Sequence, residues 1–206
     1  MTILKKKRPI DYIIYSAIIV LGIILDQLSK WLIFTNMEIR QSIPIIQNIL
    51  HITYTTNDGA AFGMMDGPGQ RWIFIIVSTV AIIGFAVYLY LGHADNMLYG
   101  VAFSIVISGG IGNMIDRFGF GFYVNPETQM GEVIDFIDFC AFPKIWSAIF
   151  NVADAFVCIG AGLLVLALIL DVIKESNRKH APVEQIAEQP IEDNADDSAP
   201  DEDKAE

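Results

Sequence analysis

Two cysteines and three histidines are all that the 206 residues offer a metal or a cross-link. Cys140 and Cys158 stand eighteen apart with no Cys-x-x-Cys pair or multi-cysteine frame, so both read as small packing residues rather than a disulfide. His51, His93 and His180 lack metal-ligand spacing, which argues against a zinc site; no metal and no other cofactor is expected. Charged residues make up only 18% of the chain, and Lys and Arg build no clustered basic face of the kind nucleic acid requires. No convincing Ser-His or Cys-His set is present for nucleophilic catalysis. The first apolar stretch has no small-residue cleavage site and is too long for a signal-peptide h-region.

What the chain does have is apolar length. Hydrophobic residues reach 53%, a membrane-protein proportion, and about 20 residues suffice to cross a bilayer. The pattern predicts an all-α membrane bundle of four transmembrane helices, with spans at about 12–34, 72–91, 97–115 and 148–172, and a small β-containing extracytoplasmic subdomain. Residues 1–11 form the N-terminus, 35–71 and 116–147 the outer loops, and 174–206 a cytoplasmic tail. In the first loop, alternation over Ile49–Thr55 and turn signals at Asn57-Asp58-Gly59 and Asp66-Gly67-Pro68-Gly69 predict short strands. Basic residues before the first span and after the fourth outweigh those near the outer loops, which places both termini inside. The net charge of −11 is mostly local: residues 181–206 hold ten acids and one lysine. With too few apolar residues to fold, that tail is expected to be disordered.

With four spans the polar residues converge. Asp26 and Lys30 lie near the end of the first span, Asn113, Asp116 and Arg117 at the end of the third, and Asn151 and Asp154 at the start of the fourth. Asn57 and Asp135 come from the two loops, so separate segments deliver polar groups to one depth near the outer face. Ionised groups there are costly and usually functional. Bland readings exist for several. Asp26 and Lys30 have the spacing of a helix-surface ion pair, and Lys30 could snorkel to the interface. Gly109, Gly110 and Gly112 fit close helix packing better than a dinucleotide loop, because no strand precedes them. Asp154 could serve only the helix dipole, and Asp138 reads as a solvated loop acid. Two aspartates sharing a pocket would hold one proton between them at neutral pH and could carry acid–base peptide hydrolysis. The alternative is a small proton-coupled carrier using intramembrane carboxylates, which should place its acids near the midplane.

DQLSK (26–30), TNDGAAFG (56–63), GGIGNMIDR (109–117), and VIDF with FNVAD (133–136 and 150–154) together resemble lipoprotein signal peptidase, the type II signal peptidase of bacteria. The resemblance covers residues 10–173 and implies an aspartic endopeptidase of the bacterial plasma membrane. Such an enzyme removes the signal peptide from diacylglyceryl-modified prolipoproteins, cutting just before the lipidated cysteine. By motif, the resemblance implies Asp135 and Asp154 as the catalytic pair and Asn57, Asn113, Arg117 and Asn151 as substrate-binding residues. Asp26, Lys30, Gly59 and Asp116 take supporting places. It further implies contact with membrane lipids, inhibition by globomycin-type cyclic peptides and action as a monomer. The acidic tail has no counterpart in this likeness. Deleting residues 181–206 should leave the cleavage rate of a lipidated substrate within about twofold, since surface changes remote from a site rarely alter it; a large drop in a gel-mobility assay would make the tail part of the enzyme.

Overall fold

A computed structural model describes residues 8–58, 68–91, 96–141 and 148–179. The chain divides into two units, Met1–Leu168 and Ile169–Glu206. The described part of the second is the closing stretch of one helix, and the fold below concerns the first. Gly59 and the acidic tail lie outside the described residues.

Helix α1 (Pro9–Asn36) starts with proline at its first position, where the missing N–H costs nothing, and the Arg8 N–H donates to Asp11 Oδ2 at 3.0 Å. Its burial is inverted relative to a soluble helix. Ile13, Leu21, Ile24 and Leu25 are more than half exposed, whereas Asp26 and Lys30 are 0% exposed. Gly22, Asp26 and Lys30 follow at four-residue steps, which places them on one helix face turned inward. A helix that is apolar outside and polar inside suits lipid, where unpaired polar groups have no solvent.

α2 (Pro68–Tyr90) and α3 (Met97–Arg117) follow, the latter capped by the Asn96 side chain, which accepts from the Tyr99 N–H at 3.1 Å. α4 (Val152–Lys179) closes the described chain. Among the described residues, three stretches are long and apolar enough to cross a membrane: α1, α3, and Val152–Arg178 of α4. Ile75–Tyr90 of α2 is a shorter apolar run. Tyr15, Leu89 and Ile107 join α1, α2 and α3 in one cluster. Lipid tails are as apolar as these side chains, so close packing, not transfer from water, must hold such helices together.

The glycines of α3 permit that closeness. A Cβ on Gly109 would strike the carbonyl oxygen of Ala153, and one on Gly112 would come within 2.5 Å of Asp26 Oδ2. The packing reading of this glycine run therefore holds.

A four-stranded antiparallel sheet in the order β1-β2-β3-β4 joins the helical part. β1 (Ser42–Ile46) and β2 (Leu50–Asn57) form a hairpin whose turn uses Asn48 at φ 61°, a left-handed conformation that asparagine tolerates. β3 (Val133–Phe139) comes from the second loop, and β4 (Ile149–Phe150) from residues that the sequence pattern assigns to the start of the fourth span. The alternation over Ile49–Thr55 predicts β2 and confines strands to the first loop; the sheet also takes β3 from the second loop and β4 from the residues just before α4. Because β4 pairs with β3 through Ile137↔Phe150 and Asp138↔Ile149, α4 begins at Val152, not at 148. Tyr54, Ile134 and Phe136, with Ile33, Met37 and Val152 against them, seat the sheet on the end of α1 and the start of α4.

Gly109→Val would drive a branched side chain into the first turn of α4. Overpacking of this kind costs about 1–3 kcal/mol, so the variant should melt lower than the parent in detergent; an unchanged melting temperature would refute the close approach.

Candidate active site

Asn151 caps α4. Its Oδ1 accepts from the Asp154 N–H at 3.0 Å, and its own backbone N–H donates to Asp154 Oδ2 at 3.2 Å. This reciprocal pair is a capping box with asparagine and aspartate in the two places. The other end of the Asn151 amide serves different partners: Nδ2 donates to Asp135 Oδ1 at 2.6 Å and to Asn113 Oδ1 at 3.1 Å. One residue thus bonds to both Asp135 and Asp154.

Asp135 comes from β3, opposite Thr55 of β2, and is 2% exposed. Asn57, at the end of β2, donates from Nδ2 to Asp135 Oδ2 at 3.0 Å. Asp154, half-buried, receives Asn113 Nδ2 on Oδ1 at 2.7 Å. Each aspartate therefore accepts a neutral donor on both oxygens. Asp138, three residues along β3, falls on the opposite side of the strand by alternation. There it accepts from Thr53 Oγ1 at 2.8 Å. It is a half-buried strand residue rather than a solvated loop acid.

Behind this pair lies a second layer. Lys30 Nζ meets Asp26 Oδ2 at 2.8 Å, Asp116 Oδ2 at 2.7 Å and Asn113 Oδ1 at 2.9 Å. Asp26 Oδ1 accepts the Ala153 N–H at 2.9 Å, another otherwise unsatisfied donor at the start of α4. Gln27, absent from the expected set, donates to Asp26 Oδ2, to the Gly112 carbonyl and to Asp116 Oδ1 at 3.2, 3.1 and 3.3 Å. Its signal was an amide inside an apolar helix, which costs free energy unless paired.

Asp26, Lys30, Asn57, Asn113, Asp116, Asp135, Asn151 and Asp154 therefore come together in one network. Arg117 is half-buried in the last turn of α3. Among the described residues no group of three or more His, Cys, Asp or Glu could hold a metal ion.

Burial first, and then the nearby charge of Asp154, push the Asp135 carboxyl up to about 7; the donors Asn57 and Asn151 and the charge of Lys30 pull the other way. The folded chain thus holds a proton there that an unfolded aspartate releases near about pH 4. The contribution of Asp135 to stability falls as pH climbs from about 4 to about 7 and is level above that.

Apolar-faced helices and a small sheet surround two carboxyl groups that share one asparagine, an arrangement of the kind a membrane aspartic peptidase needs. The family model described as signal peptidase (SPase) II matches residues 18–170. The lipoprotein signal peptidase of Halalkalibacterium halodurans is 36% identical over 168 residues, spanning 82% of this chain and 99% of that protein. The lipoprotein signal peptidase of Bacillus subtilis (strain 168) is 39% identical over 158 residues, 77% of this chain and 94% of that one. A solved bacterial membrane enzyme, determined in meso at 2.3 Å, superposes with a TM-score of 0.66 at 34% identity, covering 82% of this chain and 93% of its own. Another, at 1.9 Å, gives 0.64 at 32% identity, covering 81% and 97%. The chain belongs to the signal peptidase II family of membrane aspartic peptidases and is a multi-pass bacterial membrane protein. The carrier alternative finds no support.

If the proton on Asp135 is used in turnover, activity falls as pH rises through about 7. Asn57→Leu removes a donor that favours the ionised form, so the alkaline limb of kcat should move to higher pH; a limb that stays or drops would contradict Asp135 as the proton holder.

Proposed function

We propose that this chain removes the signal peptide from diacylglyceryl-modified prolipoproteins, cutting just before the lipidated cysteine, and that Asp135 and Asp154 carry the hydrolysis. The observation behind the catalytic assignment is the single Asn151 bonded to both aspartates, one of which holds its proton up to about pH 7. In the one-proton state, Asp154 takes a proton from water as its oxygen bonds to the scissile carbonyl carbon, and Asp135 gives its proton to the carbonyl oxygen. The tetrahedral intermediate then collapses: one of its hydroxyl groups returns a proton to Asp135 as the carbonyl re-forms, the C–N bond breaks, and Asp154 gives its proton to the departing amine, which restores protonated Asp135 and ionised Asp154.

The amides of Asn57, Asn113 and Asn151 hold the carboxyl groups, and these three residues together with Arg117 bind the substrate beside the pair. The chain crosses the membrane four times, with α2 as the second crossing, residues 12–173 as the peptidase domain and residues 1–11 and 174–206 in the cytoplasm. Site residues from the end of α1, the end of α3 and the start of α4 meet at one end of that alternating bundle, which supports a site near the outer face. There the apolar signal peptide can lie among the helices while the acyl chains remain in the lipid. The enzyme acts as a monomer, and globomycin-type cyclic peptides occupy the pair.

Asp135→Asn and Asp154→Asn should each lower the turnover of a lipidated prolipoprotein about 10²–10⁴-fold, the usual worth of a positioned acid or base, while the protein still accumulates in the membrane. Near-normal turnover by either variant in a gel-mobility assay would remove the pair. Asp138→Asn, on the other side of β3, should retain substantial activity. Lipidated and unlipidated substrates run side by side test the lipid requirement.

A further inference from the structure

Lys30 is a lysine with no exposed surface and no place in the hydrolytic step. An ammonium has three N–H donors and no acceptor, and this one meets three oxygens: Asp26 Oδ2, Asp116 Oδ2 and Asn113 Oδ1. The first two are charges held in turn by the Ala153 N–H and by Gln27. The third is a neutral amide that could turn over. With its oxygen toward Lys30, Asn113 aims Nδ2 at Asp154 Oδ1, 2.7 Å away. Turned over, it would set an NH2 group against the ammonium and against Asn151 Nδ2, and an oxygen against the Asp154 carboxylate. Lys30 and Asn151 have no exposed surface and Asn113 is buried, so the mismatches against them go uncompensated.

We infer that Lys30 is a positioning residue: as a donor that cannot accept, it locks the Asn113 amide in the one orientation that gives Asp154 a hydrogen bond. The inference rests on the proposed pair. The polarity runs in one direction through three residues, from the α1 ammonium to the α3 amide to the α4 carboxylate. Lys30 also contributes charge. Asp135 feels Lys30 from α1 and Asp154 from α4, and Lys30 itself is flanked by Asp26 and Asp116. Loss of Lys30 alone should therefore raise the alkaline limb of the pH profile as well as slow turnover. The charge-balanced variant Lys30→Met with Asp116→Asn separates the two effects, because one cation and one anion leave together.

The test measures kcat, KM and pH profile for purified full-length Lys30→Met, Lys30→Met/Asp116→Asn, Asn113→Leu and the triple variant, with melting temperatures as the check on folding. The expected result for Lys30→Met is a kcat loss of about 10²-fold, the scale of a misplaced catalytic group, with KM within about threefold and the alkaline limb shifted upward. In the charge-balanced variant the limb returns toward the parent's while the kcat loss remains. The triple variant is no slower than Asn113→Leu, because both changes act through the same bond. Recovery of kcat on balancing the charge, or losses that multiply in the triple variant, overturns the inference. Should Lys30→Met fail to fold, the balanced variant decides by the same two criteria. Turnover by Asp135→Asn would instead overturn the pair itself, a separate outcome.

Discussion

The hydrogen bonds of Asn151 are the constraint on which the site depends. Its position between β4 and α4 lets one residue do two jobs: the carbonyl end of its amide completes the cap of α4, and the NH2 end reaches Asp135 on the neighbouring strand. A cap alone is worth about 1 kcal/mol, a modest sum. Here the same atoms couple a strand to a helix and so set the spacing of two acids. Pairing of β3 with β2 and β4 places Asp135 beside the start of α4.

A second constraint is lipid. α1 and α4 present leucine, isoleucine and valine outward, so every polar group must find its partner within the protein. The Asp26–Lys30–Asp116 cluster meets that demand with two carboxylates and an amide around one ammonium. Buried ion pairs of this kind often add little to stability compared with apolar packing. Their value here lies in direction. Asp26 also receives an N–H from the first turn of α4, and the glycine at position 112 leaves room for its carboxylate. Helix packing and site geometry are therefore one arrangement: the small residues that let α1, α3 and α4 meet also let their polar atoms touch.

For a peptidase of the signal peptidase II family, such a site resolves a conflict in its substrates. An apolar signal sequence is best held among membrane helices, whereas hydrolysis needs water and a movable proton. Asp135, at the junction of helices and sheet, is buried enough to keep its proton up to about pH 7, whereas Asp154 is only half-buried.

Much of this was legible along the chain. Apolar runs announced the helices, the close glycines announced tight packing, and the order of motifs announced the family. Asn151 and Asp154 stand at capping-box spacing, and Asp26 and Lys30 one helical turn apart; both are local periodicities that sequence records directly. The strands β3 and β4, the opposite facing of Asp138 and the part played by Gln27 were not legible. Each depends on which distant segment lies alongside, and a pattern of side chains within one segment carries no such information. Composition and spacing by themselves determined a helical membrane protein with acids gathered at one end. Only tertiary structure decided that Asp135, and not Asp138, shares an asparagine with Asp154, because a strand's facing is set by the partners it pairs with across the fold.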